Sequence, residues 1–273
     1  MWAAAASDPG FATQGSKVSS NTMSKQQYLD TQNFVNQYRD IEPPVFEAPA
    51  GLPEQQYAQW VMFQSRMPYL EIQGLNLPYQ EMYHEALALQ DRFVDHREGC
   101  GRGWRSLCVH GTSAEQTDAP SAYGIQDSPD IYHWTDVQDR CPVTVNTFKN
   151  LFHYTHYMRV RYMWLEPNGF IEPHVDAQNF VFGAVNISLN NPEGCVLTTE
   201  LGTVPYKDSG SAFFLNTSYR HAVWNNSDKP RIHMIVHGSQ DQRFWNPLVI
   251  RSYEQSRFYS KSSNSHSQEL QAA

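Results

Sequence analysis

The spacing of apolar residues predicts helices in the first part of the chain. Over residues 24–100, apolar side chains recur at intervals of three and four positions, and loops separate these stretches. Residues 99–140 are rich in Gly, Ser, Asp and Pro, which predicts loops, and a short helix is predicted over 145–152. The clearest helical stripe begins after Pro78 and comprises Tyr79, Met82, Tyr83, Ala86, Leu87 and Val94.

Short strand-like runs follow between residues 156 and 240. Clusters of Pro, Gly, Asn and Asp separate these runs and predict turns. Eight short strands within roughly 80 residues favour a mainly β fold, either a two-sheet jelly roll or a small barrel, over alternating strands and helices. The predicted strands are 159–165, 170–176, 182–189, 195–200, 203–206, 211–216, 220–225 and 231–237.

These patterns predict a single domain over residues 24–250, in which a helical and loop part (24–155) precedes the β core (156–240). Residues 1–23 are small and polar and lack the basic flank of a secretory signal, so we expect a disordered leader. Residues 251–273 are rich in Ser and Gln, which predicts a disordered tail.

Composition excludes several classes of partner. The chain has 20 Lys and Arg against 28 Asp and Glu, a net charge of -8, which disfavours binding to nucleic acid or to an anionic membrane surface. No apolar run approaches the ~20 residues that span a bilayer. The four cysteines form no Cys-x-x-Cys pair and are typical of reduced thiols, so we expect a cytoplasmic protein.

Candidate metal ligands lie in the strand-rich part. His174 and Asp176 are two residues apart, so on an extended strand both side chains point to the same face, and His221 follows on a later strand. Two imidazoles and one carboxylate leave coordination positions open, which suits a ferrous ion that binds further ligands. The His-x-Asp pair alone is weak, because such pairs occur by chance and the segment 96–98 contains another.

Arg231 opens an otherwise apolar predicted strand. An inward guanidinium on such a strand is costly unless it meets an anion, and its planar fork matches a carboxylate. The alternative interpretation is an arginine at a strand end that faces solvent. His233 and His237 share the strand face of Arg231, and His233 either lines the same cavity or makes a hydrogen bond in the core.

Other histidines are weaker candidates. His153 and His156 are spaced so that both could bind one metal ion, but no acidic partner lies close in sequence. The chain contains no nucleophile elbow, P-loop or Gly-x-Gly-x-x-Gly motif. The metal-ligand candidates on the predicted strands therefore remain the strongest indication of chemistry.

The order and spacing of these motifs resemble the aspartyl/asparaginyl (and proline) β-hydroxylase family over roughly residues 100–240. This family consists of iron(II)- and 2-oxoglutarate-dependent oxygenases. The resemblance implies a double-stranded β-helix (a jelly-roll or cupin-like core) with the N-terminal helices packed outside. The residues that carry it are 159–163, Pro167, Asn168, 173–176, 186–189, 221–225 and Arg231.

The resemblance also implies roles for single residues. His174, Asp176 and His221 would be the iron ligands and the catalytic centre, with O2 as a co-substrate. Arg231 would bind the distal carboxylate of 2-oxoglutarate, and Asn186 would lie near that co-substrate. Some family members lack the carboxylate ligand, whereas this chain keeps it, which favours the branch that acts on small amino acids such as proline.

The predicted function is therefore that of a dioxygenase that hydroxylates an unactivated C–H bond of an amino acid or amino-acid side chain. Its substrate would be a small molecule or a peptide. The alternative is a non-catalytic cupin-like module that binds a metal or small molecule. Arg231 favours the enzyme, because a simple metal site needs no buried group that binds a carboxylate.

Overall fold

The computed structural model describes residues 20–97 and 99–259 of the 273-residue chain. This part of the chain forms a curled antiparallel sheet surrounded by helices. The helices are α1 (Ser20–Tyr38), α2 (Glu54–Phe63), α3 (Tyr79–Ala88), α4 (Pro142–Asn150) and α5 (Gln242–Glu254). The strands are β1 (Tyr69–Glu71), β2 (Val94–Asp95), β3 (Gly101–Gly111), β4 (His133–Trp134), β5 (Tyr154–His174), β6 (Val185–Ser188), β7 (Cys195–Thr199), β8 (Gly202–Thr203), β9 (Ser211–Leu215), β10 (His221–Asn225) and β11 (Arg231–Gln240).

Strand β5 belongs to two layers of the sheet. Its first part, up to Leu165, pairs with β11, and its last part, from Phe170, pairs with β10. One layer therefore has the order β1-β9-β6-β11-β5, and the other has the order β5-β10-β7-β8. Two antiparallel layers that share a strand in this way form a double-stranded β-helix, which confirms the predicted fold class.

The bend in β5 lies at residues 167–169, where the sequence predicts a turn that separates two strands. Asn168 has a φ of 56°, in the left-handed region that tight turns use. A Cβ on Gly169 would lie 2.8 Å from two backbone carbonyl oxygens, so a larger residue would force the chains apart. The predicted strands 159–165 and 170–176 are consequently two parts of one bent strand.

Strand β3 lies along the other edge of β5, on both sides of the bend. It corrects the prediction of loops over residues 99–140. Residues 106–111 are all buried, so this part of the strand lacks the polar–apolar alternation that marks a half-buried strand. Gly101 and Gly103 have positive φ values and are typical of turns, yet both lie within the strand.

The two faces of the first layer differ in chemistry. Val236 of β11 lies in register with Phe214 of β9, whose ring packs on Trp245 of α5 with ring centres 5.8 Å apart. This face is therefore apolar and is covered by helices. Side chains alternate along a strand, so Arg231 and His233 point the opposite way, into the space between the two layers.

Helix α1 covers the outer face of the second layer. Phe34 and Val35 of this helix are buried against Phe170 of β5 and Trp224 of β10. His221 is three residues from Trp224 and so points to the other face of β10, toward the space between the layers. No helix in the described ranges is both long and apolar enough to cross a bilayer.

The ends of the chain differ from the sequence-based expectation. Helix α1 begins at Ser20, so positions 20–23 of the predicted leader are helical, while residues 1–19 lie outside the described part. Helix α5 continues to Glu254, and Phe258 is only 1% exposed, so the predicted tail is ordered as far as residue 259. Its polar composition concealed the few apolar residues that anchor it, and residues 260–273 lie outside the described part.

We expect Phe258→Ala to lower the free energy of unfolding by about 3–5 kcal/mol, the usual cost of truncating a fully buried phenylalanine. The Phe258 ring contacts Tyr69 and Phe46, with ring centres 5.2 and 5.7 Å apart. Equilibrium urea unfolding measures the change. Leu151→Ala, at a side chain that is 48% exposed, is the control and should change the free energy by less than about 0.5 kcal/mol. Equal effects of the two substitutions would contradict the packing of Phe258.

Candidate metal and co-substrate site

His174, Asp176 and His221 come together at the end of β5. His174 is the last residue of β5 and pairs directly with His221, the first residue of β10. Asp176 lies just beyond the strand, where its backbone N–H donates to the carbonyl of Thr217 at 3.0 Å. One ligand atom from each of the three side chains lies within 4.8 Å of the other two. The three residues singled out in the sequence therefore form one cluster.

Hydrogen bonds orient both imidazoles. Nδ1 of His174 lies 2.7 Å from the carbonyl oxygen of Glu172, and Nδ1 of His221 lies 2.9 Å from that of Tyr219. A carbonyl only accepts, so each Nδ1 carries the proton and donates it, which leaves the Nε2 lone pairs free. These Nε2 atoms lie 3.7 and 3.6 Å from the carboxylate of Asp176. The donor set fits a ferrous ion with further positions open.

The charge states also suit metal binding. Burial raises the pKa of Asp176, but electrostatic interactions with His174, His221 and Arg97 together outweigh it and hold this pKa below its usual value. The side chain is therefore a carboxylate. Burial, assisted by His174, lowers the pKa of His221 to about 4, so its imidazole is neutral near pH 7 and can act as a ligand.

Arg97 is a neighbour of the cluster that the sequence analysis did not single out. Its guanidinium lies 3.0 Å from the carboxylate of Asp176 and 3.4 Å from that of Asp118. The side chains of Arg97, Asp176 and His174 are about one-third exposed, whereas that of His221 is 9% exposed. The cluster therefore opens to solvent on the side of Arg97. In the sequence, Arg97 stood out only as the central residue of the His-x-Glu pair at 96–98.

Arg231 is fully buried, so the interpretation of a solvent-facing arginine is wrong. One terminal nitrogen, Nη1, donates to Nδ1 of His233 at 3.0 Å, which makes His233 a hydrogen-bonding residue. Nε and Nη2 of Arg231 have no acceptor among the described residues. The guanidinium lies over the ring of Tyr206, 5.0 Å from its centre, and burial raises the pKa of Tyr206 to about 12. Two free donors in a buried site match a carboxylate.

Asn186 lies on the same inner face. It pairs with Ile235 of β11, which lies two residues from His233 and therefore on the same face of the strand, and it is 7% exposed. Its amide nitrogen lies 3.3 Å from the carbonyl oxygen of Ala184, and its side chain borders the space between the layers. Asn186 and Arg231 thus face one interior, although Asn186 makes no hydrogen bond to Arg231 or to the histidines among the described residues.

The weaker candidates do not join this cluster. His153 is exposed and stacks on Phe244, with ring centres 4.0 Å apart. His96 is buried and lies 3.0 Å from the hydroxyl groups of both Ser106 and Thr117. These histidines satisfy local packing or hydrogen bonding. Within the described ranges, His174, Asp176 and His221 form the one group of His, Cys, Asp or Glu side chains close enough together to hold a metal ion.

Comparison with known proteins gives one family match. The model of a family described as Aspartyl/Asparaginyl beta-hydroxylase matches residues 79–241. No curated protein matches the sequence significantly. The matched range includes all five residues predicted for the site, and it also includes β3, which the sequence analysis placed in loops.

Several solved structures are similar to this chain at low sequence identity. A prolyl hydroxylase from Trichoplax adhaerens, in complex with a peptide fragment of hypoxia inducible factor, is 12% identical, with 69% of this chain and 91% of that chain covered and a TM-score of 0.43. A prolyl-4-hydroxylase from Pseudomonas putida is 11% identical, with coverages of 69% and 99% and a TM-score of 0.37. A 2OG-Fe(II) oxygenase family protein from Burkholderia pseudomallei is 11% identical, with coverages of 72% and 94% and a TM-score of 0.37.

Proposed function

Because the chain belongs to the aspartyl/asparaginyl β-hydroxylase family, we propose that it hydroxylates an unactivated C–H bond of an amino acid or amino-acid side chain. The chain is an iron(II)- and 2-oxoglutarate-dependent dioxygenase, as are the members of this family. The family match covers more than half of the chain. The substrate in this proposal is a small molecule or a peptide.

The proposal assigns the metal to His174, Asp176 and His221. Both imidazoles present unprotonated Nε2 atoms to the carboxylate of Asp176, which is the arrangement that a ferrous ion needs. When bound, the iron supplies the activation of O2, which couples oxidative decarboxylation of 2-oxoglutarate to hydroxylation of the substrate. The protein's part is to hold these ligands and to keep water from the reacting groups.

The buried guanidinium of Arg231 is the observation that carries the proposal. It has two donors without an acceptor in the described chain, and it faces the same interior as His221. An uncompensated buried cation is costly, and the distal carboxylate of 2-oxoglutarate would compensate it through two parallel hydrogen bonds. Asn186 is assigned a place beside this co-substrate. A module that only binds a metal ion would not need the buried guanidinium of Arg231.

The test is formation of succinate from 2-oxoglutarate on addition of iron(II) and O2, together with a mass-spectrometric screen of amino acids and peptides for a product heavier by one oxygen atom. We expect succinate in the presence of both iron(II) and 2-oxoglutarate and none without either. Iron binding without succinate formation under any of these conditions would favour the non-catalytic binding module and overturn the proposal.

Asp176→Ala should reduce succinate formation severely without abolishing it. The carboxylate is one of three ligands, whereas loss of a group that only supports a ligand already costs about tenfold to a hundredfold. Relatives without this carboxylate imply that two imidazoles sustain some turnover. The rate of succinate formation at saturating iron(II) measures the effect, and Asp208→Ala, at an exposed carboxylate, is the control. Equal rates for Asp176→Ala and the unchanged protein would remove Asp176 from the ligand set.

A further inference from the structure

The turn before β10 connects two of the proposed metal ligands. This turn comprises residues 216–220 and lies just ahead of His221. The backbone carbonyl of Thr217 accepts a hydrogen bond from the N–H of Asp176 at 3.0 Å. The backbone carbonyl of Tyr219 accepts one from Nδ1 of His221 at 2.9 Å. A displacement of the turn would therefore move the backbone of Asp176 and rotate the imidazole of His221.

The side chain of Tyr219 fastens this turn to two other segments. Its hydroxyl donates a hydrogen bond at 2.8 Å to the backbone carbonyl of Arg66, in the segment between α2 and β1. Its ring packs edge-on against the ring of Phe180, in the loop after β5, with ring centres 5.3 Å apart. The guanidinium of Arg66 lies over the ring of Phe180, 5.5 Å from its centre. Arg66, Phe180 and Tyr219 thus form one stack, which joins the turn to the loop that carries Asp176.

Both partners of Tyr219 have an unusual backbone conformation. Arg66 has a φ of 58° and Phe180 has a φ of 53°, in the left-handed region that is unfavourable for residues with large side chains. Such conformations persist only where the surrounding structure imposes them, and they concentrate near functional sites. Phe180 is held by its two ring contacts and by its N–H, which donates to the hydroxyl of Ser218 at 2.8 Å. These contacts are therefore strong enough to maintain the unfavourable conformation.

The stack lies at the surface, so burial of apolar area does not account for it. Arg66 is exposed, and the rings of Phe180 and Tyr219 are half-buried. Neither ring belongs to the apolar clusters that form the core of the described chain. Its connections lead instead to the segments that carry His221 and Asp176. Groups that hold metal ligands in place usually account for a tenfold to hundredfold difference in metal affinity.

We propose that Tyr219 and Phe180 are positioning residues for the metal ion. Their stacked rings hold the 216–220 turn, and through its backbone they hold His221 and Asp176 in the arrangement that binds iron(II). This inference rests on the proposed function, because it assumes that the metal binds to these ligands. Neither residue contacts the metal in this proposal, so both act only through the backbone that they fix.

The test measures metal binding in the absence of turnover. Anaerobic equilibrium dialysis gives the dissociation constant of iron(II), and the visible d–d absorption of Co(II) bound in its place reports the geometry of the ligands. Tyr219→Ala and Phe180→Ala should each weaken iron(II) binding about tenfold to a hundredfold and shift the Co(II) bands. Tyr219→Phe keeps the ring and loses only the hydroxyl, so it should recover most of the affinity and the Co(II) spectrum of the unchanged protein.

A double substitution tests whether the two rings act as one unit. Effects of residues in direct contact are not additive, because the first substitution already removes the contact. The protein with both Tyr219→Ala and Phe180→Ala should therefore bind iron(II) little more weakly than the weaker of the two single variants. Losses of affinity that multiply would show that the rings act independently and would overturn the joint role of the stack.

Urea unfolding of the same variants separates positioning from stability. Phe180→Gly removes the ring, as Phe180→Ala does, but glycine tolerates the positive φ. We therefore expect Phe180→Gly to unfold at a higher urea concentration than Phe180→Ala and yet to bind iron(II) as weakly. Phe244→Ala is the matched control, because it removes a ring that stacks on the exposed His153, with ring centres 4.0 Å apart, away from the metal ligands. It should bind iron(II) like the unchanged protein.

The outcomes distinguish this inference from the proposed function. If Tyr219→Ala and Phe180→Ala bind iron(II) like the unchanged protein, or no more weakly than Phe244→Ala, the positioning role is wrong, while succinate formation by the unchanged protein still supports the oxygenase. If iron(II) affinity follows the unfolding midpoint across the series, the stack only stabilises the fold and the inference is again wrong. If the unchanged protein binds no iron(II), the proposed function fails together with this inference.

Discussion

Replacing His221 with alanine should abolish both iron(II) binding and succinate formation. In the proposed site His221 provides one of two imidazole ligands, and ferrous ion binds weakly to the one imidazole and one carboxylate that would remain. The structure adds a second reason, because His221 is buried, neutral and fixed by its hydrogen bond to Tyr219. His174→Ala should have the same effect for the same reason.

Anaerobic equilibrium dialysis against iron(II) measures binding, and succinate formation measures turnover. His84→Ala is the control, because His84 is an exposed histidine on α3 and lies away from the cluster. It should bind iron and turn over like the unchanged protein. Full activity in His221→Ala would exclude the assignment of the metal to this cluster, and the search for ligands would have to begin again with the other histidines.

Arg231→Lys should weaken binding of 2-oxoglutarate about tenfold to a hundredfold while iron(II) binding persists. Lysine keeps the charge but replaces the planar fork with a single ammonium group, which makes no two parallel hydrogen bonds to a carboxylate. Loss of one charge-assisted bond in a buried site costs about 1.5–3 kcal/mol, which corresponds to that range of affinity. The proposed iron ligands are on β5, β10 and the loop after β5, so Arg231 is not one of them.

Anaerobic titration of 2-oxoglutarate into the iron-loaded variant, followed by the metal-to-ligand charge-transfer band, measures this effect. Arg243→Lys is the matched control, since Arg243 is exposed and pairs only with the nearby Asp241 in the described chain. An unchanged binding curve for Arg231→Lys would show that 2-oxoglutarate does not use Arg231. Arg161, a buried arginine of β5 that lies opposite Ile235 and faces the same interior, would then be the next candidate for the co-substrate.

The candidate metal cluster was predictable because two of its three residues lie close together in the sequence. His174 and Asp176 lie two positions apart, and only His221 depends on which strands pair. The pairing of His174 with His221 follows from the bend in β5, which the sequence shows only as a turn. Spacing alone therefore indicated His174 and Asp176 as candidate ligands, and the family resemblance added His221 to the same site.

The inward direction of Arg159 and Arg161 on β5 was not predictable from the pattern of the strands. In a half-buried strand, polar residues that alternate with apolar ones usually face water. Here the rule is reversed, because helices cover the apolar face of the first layer and the polar face lines the interior. The strand pattern by itself would therefore direct Arg159 and Arg161 toward solvent. Arg97 was missed for another reason, since its contact with Asp176 joins a loop to a distant strand end.

The elements missed at 101–111 and 242–254 show a related limit. Strand β3 is buried on both faces over much of its length and begins with glycines, so its composition indicates a loop. Helix α5 contains Pro247, a residue that normally disfavours helix interiors, yet the helix is held by the buried Trp245. In both cases tertiary packing outweighs local propensity.

The pairing of β5 with β11 has a consequence for how the protein folds. These strands open and close the β core, and Tyr154 pairs with Gln240 while Leu165 pairs with Arg231. During synthesis on the ribosome, the backbone groups along this edge of β5 therefore lack their hydrogen-bond partners until β11 has been made. Contacts between positions so distant along the chain slow folding. We expect refolding in the millisecond-to-second range or slower, with the unpaired edge of β5 as a site of self-association until β11 arrives.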